Sequence, residues 1–322
     1  MKNDNFTAQA GPSPAQIAFF WAALFLVLFG LRMAFADIPL DRDEGTYAYT
    51  AWRMGFGEMP YRDIFDHKQP GIYFIYRLAF MIFGTSVTAV RLFTAFYAAL
   101  TCVILFVAAR RDYGNRAAGI AAFLCAIFYG GVHFQAVNSN TEIFAALPLL
   151  LSYYFAGDKN IKKGSFLSGF FFAVSFFMKE IVFLFGALVL ARLLIKKELR
   201  RAVPFFAAGI LAVSAAVFAW LAANNLPAYY AECVISYNLF YSLKNAGGEP
   251  RVMAYFAAIH APLTLGAVMM FTRKDPAEDG SWLLKACVIA CAAGILAFGF
   301  RYRHYFIILI APLSVAAGSV IS

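Results

Sequence analysis

Charged residues are scarce in this chain of 322 residues: Asp, Glu, Lys and Arg together make up 14%, against 62% for hydrophobic residues. A soluble globular protein carries about 25% charged residues, so most of this chain must be surrounded by lipid rather than water. Bases outnumber acids and give a net charge of +9, but long apolar runs separate them. Because a nucleic-acid-binding surface needs clustered Lys and Arg on a solvated face, the composition predicts an integral membrane protein instead.

Cysteines and short catalytic motifs are also few. Of the five cysteines, four lie inside apolar runs and Cys233 lies in a polar stretch, which excludes a disulfide framework and the spacing of a metal site. The sequence contains no GxSxG, HExxH or P-loop pattern, so it does not support a hydrolase, a zinc protease or a nucleotide hydrolase. No metal ligands and no cofactor are predicted, and a requirement for a divalent cation is left open.

Apolar runs follow one another along the chain. Crossing a bilayer core takes about 20 apolar residues per helix, and we identify ten such runs. They cover approximately residues 16–36, 89–109, 117–134, 142–157, 164–178, 181–196, 202–223, 251–271, 282–300 and 303–322. The first run is too long for a signal peptide and lacks its cleavage site. The predicted fold is therefore an all-α polytopic membrane protein with about ten transmembrane helices in a single domain, residues 1–322.

Basic clusters predict which side of the membrane each loop faces. If the stretch from Gly164 to Ile195 is a hairpin that turns at Lys179 and Glu180, the basic clusters of the short loops fall on one side, together with nearly all of the net charge of +9. By the positive-inside rule, that side and the N-terminus are cytoplasmic. The opposite side carries balanced charge, and we expect the chemistry there.

Acidic residues gather in the first extracytoplasmic loop, residues 37–88. Seven of the 18 acidic residues of the chain lie there: Asp37, Asp41, Asp43, Glu44, Glu58, Asp63 and Asp66. A helical stripe of Tyr47, Ala51 and Gly55 follows the Asp43-Glu44 pair, and a second helical segment is predicted from Gly71 to about Phe83. Helices rich in Tyr and Trp beside a membrane span belong in the interface, which places the acidic pair at the membrane surface.

Further polar residues are predicted on the same side, including Asn138, Asn140, Glu142, Lys179, Arg301, Arg303 and His304. Several ionisable groups that converge at bilayer depth indicate a functional site. Structural alternatives stay open: Asp43 could be a helix N-cap, Lys68 and Arg303 could anchor helix ends by snorkelling, Lys179 and Glu180 could form only a turn with a local ion pair, and His67 could be a solvated loop residue.

Five motifs, in this order, resemble the GT-C membrane glycosyltransferases. They are DRDEGTYAY with Asp43-Glu44, DHKQPGIYF with Lys68, RLFTAFYAALTCVILFVAARR, NSNTEIFAALPLLL with Glu142, and RYRHYFIILIAPLSVAAG. The resemblance covers about residues 15–320. Within the superfamily, the protein O-mannosyltransferase-like and aminoarabinose-transferase-like group (glycosyltransferase family 39 or 83 type) is the most similar.

The resemblance implies a glycosyltransferase (EC 2.4 class) that moves a sugar from a polyprenyl-phosphate donor to an acceptor hydroxyl of a lipid, glycan or protein at the outer face of the bacterial inner membrane. It implies Asp43 as the general base, with Glu44 as its neighbour and fallback. It also implies donor-phosphate binding by Lys68, Arg301, Arg303 and His304, and substrate orientation by Glu142, Tyr47 and Asn140. The like-charged Glu44 is expected to raise the pKa of Asp43.

The sequence departs from the family at His67-Lys68-Gln69-Pro70 and at Thr46, which leaves the donor sugar open. It is also short for the family, so a C-terminal part is expected to be absent or the protein is a minimal member. Two alternative functions remain: a secondary transporter or lipid-linked sugar flippase, and an inactive membrane scaffold. A transporter commonly shows two related halves with ionisable groups at mid-membrane depth, and this chain shows neither.

Overall fold

The computed structural model of the protein describes residues 13–244, 249–273, 278–297 and 302–322. The α-helices are α1 (Pro14–Met33), α2 (Arg42–Met54), α3 (Gly71–Phe83), α4 (Val87–Tyr129), α5 (Thr141–Ala156), α6 (Ile161–Phe176), α7 (Phe183–Ile195), α8 (Val203–Ala223), α9 (Pro227–Tyr230), α10 (Tyr237–Lys244), α11 (Pro250–Ile259), α12 (Ala261–Thr272), α13 (Glu278–Ala297) and α14 (Ile307–Ile321). Short helical turns connect them at His133–Gln135, Glu180–Val182, Lys197–Ala202, Ala231–Ser236 and Arg303–Phe306. The predicted all-α class is confirmed.

Both helices predicted within residues 37–88 are present. Helix α2 begins after Asp41 and ends at Gly55, and α3 begins after Pro70 and ends at Gly84. Gly84 has a φ of +81°, a backbone conformation that glycine adopts readily. The two helices pack against each other. The acidic loop is therefore a folded unit, which packs against α4 through α3.

The predicted number of about ten transmembrane helices is not confirmed. Four described helical segments are long and apolar enough to cross a membrane, or five if α11 and α12, which meet at 97°, form one span. Helix α4 runs through two predicted spans, with a break at Gly114, where φ is +84°. Helix α7 has 13 residues and rises about 20 Å, less than a bilayer core of about 30 Å. Apolar runs in the sequence do not show where helices merge, bend or stop short.

Small residues allow the helices to approach closely, as is common where lipid removes the hydrophobic driving force. A Cβ atom on Gly169 of α6 would lie 2.1 Å from the carbonyl oxygen of Phe206 in α8, and one on Gly209 of α8 would lie 2.1 Å from that of Phe166. Glycine at both positions therefore brings the two backbones into direct contact. Helices α4 and α14 pack along an alanine-rich interface in the same way.

Arg32 fixes the segment between α4 and α5. Its buried guanidinium donates hydrogen bonds to the backbone carbonyls of Tyr129 at 2.7 Å, Ala136 at 2.9 Å and Val137 at 2.9 Å. A charge buried in this way requires such partners. The segment that precedes Glu142 is thereby held against the end of α1, at the end of the bundle where α2 lies.

Candidate active site

The start of α2 separates the roles of its three acidic residues. Asp41 is the N-cap: its carboxylate accepts a hydrogen bond from the backbone N–H of Arg42 at 2.7 Å, and Glu44 accepts one from the backbone N–H of Asp41 at 2.9 Å. This is a capping box. The alternative that Asp43 is the N-cap is therefore wrong, and the Asp43 side chain is available for another role.

Glu44 is completely buried and lies outside the cavity that Asp43 lines. It forms an ion pair with Arg91 of α4, through both guanidinium Nη atoms, and accepts a hydrogen bond from the backbone N–H of Ser139 at 2.5 Å. These contacts join α2, α4 and the segment before α5. The carboxylate is thus occupied by structural partners.

Asp43 lies between two cations. Lys68 Nζ is 3.4 Å from Asp43 Oδ2, and Arg42 Nε is 3.1 Å from Asp43 Oδ1. Burial raises the pKa of Asp43, but Lys68, His304 and Arg42 outweigh it and lower that pKa to about 2. The expectation that Glu44 raises the pKa of Asp43 is therefore wrong, because Arg91 neutralises Glu44 while Lys68 faces Asp43 directly.

Lys68 is held by hydrogen bonds on both sides of its loop. The Tyr61 hydroxyl donates to the Lys68 carbonyl at 2.9 Å, and Asp66 accepts from the Tyr73 hydroxyl at 2.9 Å and from the backbone N–H of His67 at 2.7 Å. The Lys68 side chain is only 12% exposed. An ammonium in this position does not snorkel to lipid headgroups, so that alternative is wrong.

His67 joins the same loop to α10. Its Nδ1 atom lies 2.7 Å from Asn238 Oδ1, and Asn238 Nδ2 donates to the His67 carbonyl at 2.8 Å. Burial and the neighbouring Lys68 lower the pKa of His67. The histidine is therefore a half-buried structural contact and not the solvated loop residue of the alternative.

Two polar cavities meet at Asp43. The first, about 330 Å³, is lined by Lys68, and the second, about 470 Å³, is lined by Gln135. Both are lined by Arg42, Asp43, Tyr302 and His304. We call them the Lys68 cavity and the Gln135 cavity, after a residue that lines only one of them. A carboxylate between two chambers can contact a different substrate in each.

A second buried ion pair lies behind the cavities. Lys179 Nζ is 3.4 Å from Glu142 Oε1 and 3.7 Å from Glu180 Oε1, and it lies 4.3 Å from the ring centre of Tyr305. Both Lys179 and Glu142 are shielded from solvent, and neither carboxylate oxygen of Glu142 has a hydrogen-bond partner. The pair reaches from α5 across the α6–α7 connection, so it is more than the local ion pair of the alternative.

The residues predicted for the site separate into three groups. Lys68 and Tyr47 line the Lys68 cavity, Asn140 and Arg303 line the Gln135 cavity, and Asp43 and His304 line both. Glu44 and Glu142 are buried outside these two cavities. Arg301 lies outside the described residues. Arg303 is exposed and lies 5.6 Å above the Tyr255 ring, which leaves the snorkelling alternative open for it.

Sequence reasoning missed several cavity residues. Arg42 pairs with Asp43, and Gln135 joins the capping box to the late motif, since its Nε2 donates to Asp41 Oδ2 at 2.6 Å and its Oε1 lies 3.1 Å from His304 Nδ1. Tyr237, Tyr241 and Tyr302 form an aromatic wall of the Lys68 cavity. The position of Arg42 next to Asp43 was a usable signal, whereas the tyrosines come from distant segments that no local pattern connects.

Residues 67–222 match the family model described as dolichyl-phosphate-mannose-protein mannosyltransferase. A search of curated proteins by sequence finds no match. Among solved structures, ArnT from Cupriavidus metallidurans bound to undecaprenyl phosphate superimposes with a TM-score of 0.74 at 16% identity, over 95% of this chain and 60% of ArnT. The apo state of that ArnT gives a TM-score of 0.69 at 16% identity, over 94% and 59% of the two chains.

An archaeal protein has a more distant likeness. The oligosaccharyltransferase AglB from Archaeoglobus fulgidus, in complex with an inhibitory peptide and a dolichol-phosphate, gives a TM-score of 0.53 at 14% identity, over 94% of this chain and 50% of AglB. The chain thus spans about 60% of the length of ArnT and half that of AglB. It has the fold of the GT-C membrane glycosyltransferases, and the resemblance to that superfamily predicted from the motifs is confirmed.

Proposed function

We propose that the protein is a glycosyltransferase that moves a sugar from a polyprenyl-phosphate-linked donor to an acceptor hydroxyl, with Asp43 as the general base. The observation that carries this proposal is the contact of Asp43 with Lys68 in one polar cavity, at 3.4 Å. A base and a phosphate-binding cation on the same cavity wall are the two groups that this reaction needs.

In the proposed reaction, Asp43 accepts the proton of the acceptor hydroxyl, whose oxygen forms a bond to the anomeric carbon of the sugar. The bond between that carbon and the donor phosphate oxygen breaks, and polyprenyl phosphate leaves with the electron pair. Lys68 stabilises the negative charge that develops on the phosphate. The attack displaces the phosphate in line, so we expect inversion at the anomeric carbon.

The binding of the donor is expected to activate the base. In the free protein, Lys68 contributes to the low pKa of Asp43. A phosphate bound to Lys68 supplies a negative charge that offsets this cation, so the pKa of Asp43 rises when the donor is present. The carboxylate then accepts a proton more readily, and its basicity depends on an occupied donor site.

An apolar cavity beside Lys68 supports a lipid-linked donor. It has a volume of about 740 Å³, is lined by phenylalanines of α6 and α8, and begins at Gln69 and Asn238, the neighbours of Lys68 and His67. An isoprenoid chain needs an apolar surface that starts where its phosphate binds. The two cavities together fit a molecule with an anionic head and a long hydrocarbon tail.

The remaining site residues complete the proposal. Tyr47 and His304 would contact the donor in the Lys68 cavity, whereas Asn140 and Arg303 would contact the acceptor in the Gln135 cavity. Glu44 and Glu142 act as positioning residues through Arg91 and Lys179. No group of three or more potential metal ligands occurs among the described residues, and the steps above use side chains of this chain alone.

The proposed location is the bacterial cytoplasmic membrane, with the N-terminus inside and Asp43 at the outer face. Lys68, the partner of Asp43, precedes α3, and the N–H of Gly71 at the start of α3 donates to the carbonyl of Phe177 just after α6, at 3.0 Å. The basic clusters with Lys162 and Arg200 lie at the other end of α6, where Ile161 and Leu199 line one cavity. The positive-inside rule places those clusters in the cytoplasm.

Radiolabelled polyprenyl-phosphate sugar, incubated with membranes that contain the protein, tests the reaction. We expect label in a new acceptor with the wild type and with Asp63→Asn, a matched control because Asp63 pairs with its neighbour Arg62 as Asp43 does with Arg42. Asp43→Asn should transfer no label. A flippase would move label across the bilayer without a new covalent product, and Asp43→Asn would leave that movement unchanged.

A further inference from the structure

A third polar cavity lies at the opposite end of the helices from Asp43. Its volume is about 260 Å³, and its wall includes Arg111 of α4, Ala156 at the end of α5 and Arg192 of α7. Helix α5 has 16 residues, so its two ends are about 24 Å apart. The Arg111 cavity is therefore a separate site from the one proposed for sugar transfer.

The Arg111 guanidinium is held rigidly at the cavity wall. Its Nε donates to Asp112 Oδ1 at 2.6 Å and its Nη2 to Asp112 Oδ2 at 2.8 Å, while its Nη1 donates to the carbonyl of Tyr154. The centre of the Tyr154 ring lies 4.7 Å from the guanidinium carbon, and the Arg111 side chain is 26% exposed. A guanidinium has five N–H groups, so these three bonds leave one N–H on each Nη for a ligand.

Glycines make room for the charged groups. A Cβ atom on Gly157 would lie 2.8 Å from Arg111 Nη2, and one on Gly164 would lie 2.6 Å from the Cβ of Asp158. Contacts below 3.0 Å would displace both side chains. The positions of Arg111 and Asp158 around the cavity therefore depend on two residues that lack a side chain.

Charges of both signs line the cavity. The cations are Arg111 and Arg192, whose guanidinium lies 5.0 Å above the Trp282 ring, and the anions are Asp112 and Asp158. Asp112 is occupied by Arg111 and by the Tyr153 hydroxyl, which donates at 2.6 Å. Asp158 accepts one backbone hydrogen bond, from Asn160 at 2.8 Å. A ligand that carries a phosphate and an ammonium group matches this lining better than a purely anionic ligand.

The surroundings favour a lipid as the source of such a ligand. Leu193 lines the cavity, and the next two residues of α7, Leu194 and Ile195, are 48% and 75% exposed. The cavity thus adjoins apolar surface at a helix end, the depth at which headgroups lie, and charged pockets between transmembrane helices bind lipid headgroups.

We propose that the Arg111 cavity binds the headgroup of a zwitterionic phospholipid with a phosphodiester and a primary ammonium group. The phosphodiester accepts hydrogen bonds from Arg111 and faces Arg192, and the ammonium donates to Asp158. On the predicted topology this lipid belongs to the cytoplasmic leaflet, and it would fix the ends of α4, α5 and α7 to each other.

Native mass spectrometry of the purified, delipidated protein tests this site. Phosphatidylethanolamine and phosphatidylglycerol are titrated in parallel with water-soluble phosphoethanolamine. We expect phosphatidylethanolamine to bind most tightly, and Arg111→Gln and Asp158→Asn each to weaken it about tenfold. Lys162→Gln, an exposed cation of α6 outside the cavity, should have no effect.

Selectivity distinguishes the site from general lipid binding. Asp158→Asn should lower the preference for phosphatidylethanolamine over phosphatidylglycerol. Poor folding would weaken the binding of both lipids alike, so it cannot explain a change in this preference. Equal binding of both lipids, or binding that neither variant alters, would overturn the proposal. Binding of soluble phosphoethanolamine with the same dependence on Arg111 and Asp158 would reject the lipid as its source. None of these results depends on the reaction at Asp43.

Discussion

At the scale of single residues, the electrostatics of Asp43 determine how it can act. Its pKa is lowered to about 2, from an ordinary value of 3.8, so the group is ionised throughout the physiological range. It contributes stability above pH 3.8 that is lost as the pH falls toward 2. The proposed base is therefore deprotonated in the free protein. A carboxylate with so low a pKa is a weak base, so the bound donor has to raise the pKa of Asp43 before the carboxylate can accept a proton efficiently.

We predict that the ionisation of Asp43 causes no change in kcat/KM for transfer between about pH 5 and pH 8. The reason is that kcat/KM reports the ionisation of the free enzyme, in which Asp43 stays deprotonated over this range. Arg42→Gln removes a cation that is 3.1 Å from Asp43 and should move the acid limb of the profile to higher pH. A pH–rate profile of both proteins measures this shift. A wild-type acid limb near pH 6 that Arg42→Gln leaves unchanged would show that another group titrates.

The buried pair of Glu44 and Arg91 is predicted to be the main support of α2. Glu44→Gln leaves the Arg91 charge without its partner and should destabilise the protein by about 3 kcal/mol, measured by thermal unfolding in detergent. The control is Glu58→Gln, which breaks the half-exposed ion pair with Arg53 and should cost less than about 1 kcal/mol. Similar losses in both variants would contradict the structural role of Glu44.

At the scale of helices, glycine contacts control how closely α6 and α8 approach. The Cβ atom of Gly209→Ala would lie 2.1 Å from the carbonyl oxygen of Phe166, so the helices have to separate. We predict a destabilisation of about 1–3 kcal/mol in thermal unfolding. Gly30→Ala in α1 is the matched control, since its Cβ atom meets open space and helix propensity improves by up to about 1 kcal/mol. Equal unfolding temperatures for the two variants would refute the close packing.

At the scale of the whole molecule, the two ends of the bundle are predicted to face different compartments. The five cysteines are buried, so introduced thiols can be labelled against a low background. Asp63→Cys should react with a membrane-impermeant maleimide added to intact cells. Lys162→Cys should react only after the membrane is opened. The reverse pattern would invert the topology and place Asp43 in the cytoplasm.

The sequence predicted local features of the fold well and long-range features poorly. The boundaries of α2 and α3 follow from nearby signals such as Gly55, Pro70 and Gly84, and the break between α6 and α7 falls at the predicted position beside Lys179. The pairing of Glu44 with Arg91 joins residues 47 positions apart, and no local sequence pattern predicts it. The predicted number of about ten spans is not confirmed, because hydropathy does not show which apolar runs form helices too short to cross a bilayer, such as α7.

The same distinction holds for the candidate site. The sequence placed Asp43 and Lys68 in one loop, and the structure brings their charged atoms to 3.4 Å. It gave the wrong direction for the pKa of Asp43, because a neighbour in sequence, Glu44, points away, whereas His304, from the other end of the chain, lies close. The sign of such a shift depends on side-chain directions that only the folded chain defines.

The most direct test of the central claim measures donor binding and sugar transfer on the same purified proteins. We predict that Asp43→Asn binds polyprenyl phosphate as the wild type does but transfers sugar at least about 100-fold more slowly, that Lys68→Gln loses binding, and that Asp63→Asn retains both. Transfer by Asp43→Asn at the wild-type rate, from a protein with unchanged donor affinity, would contradict the claim that Asp43 is the base.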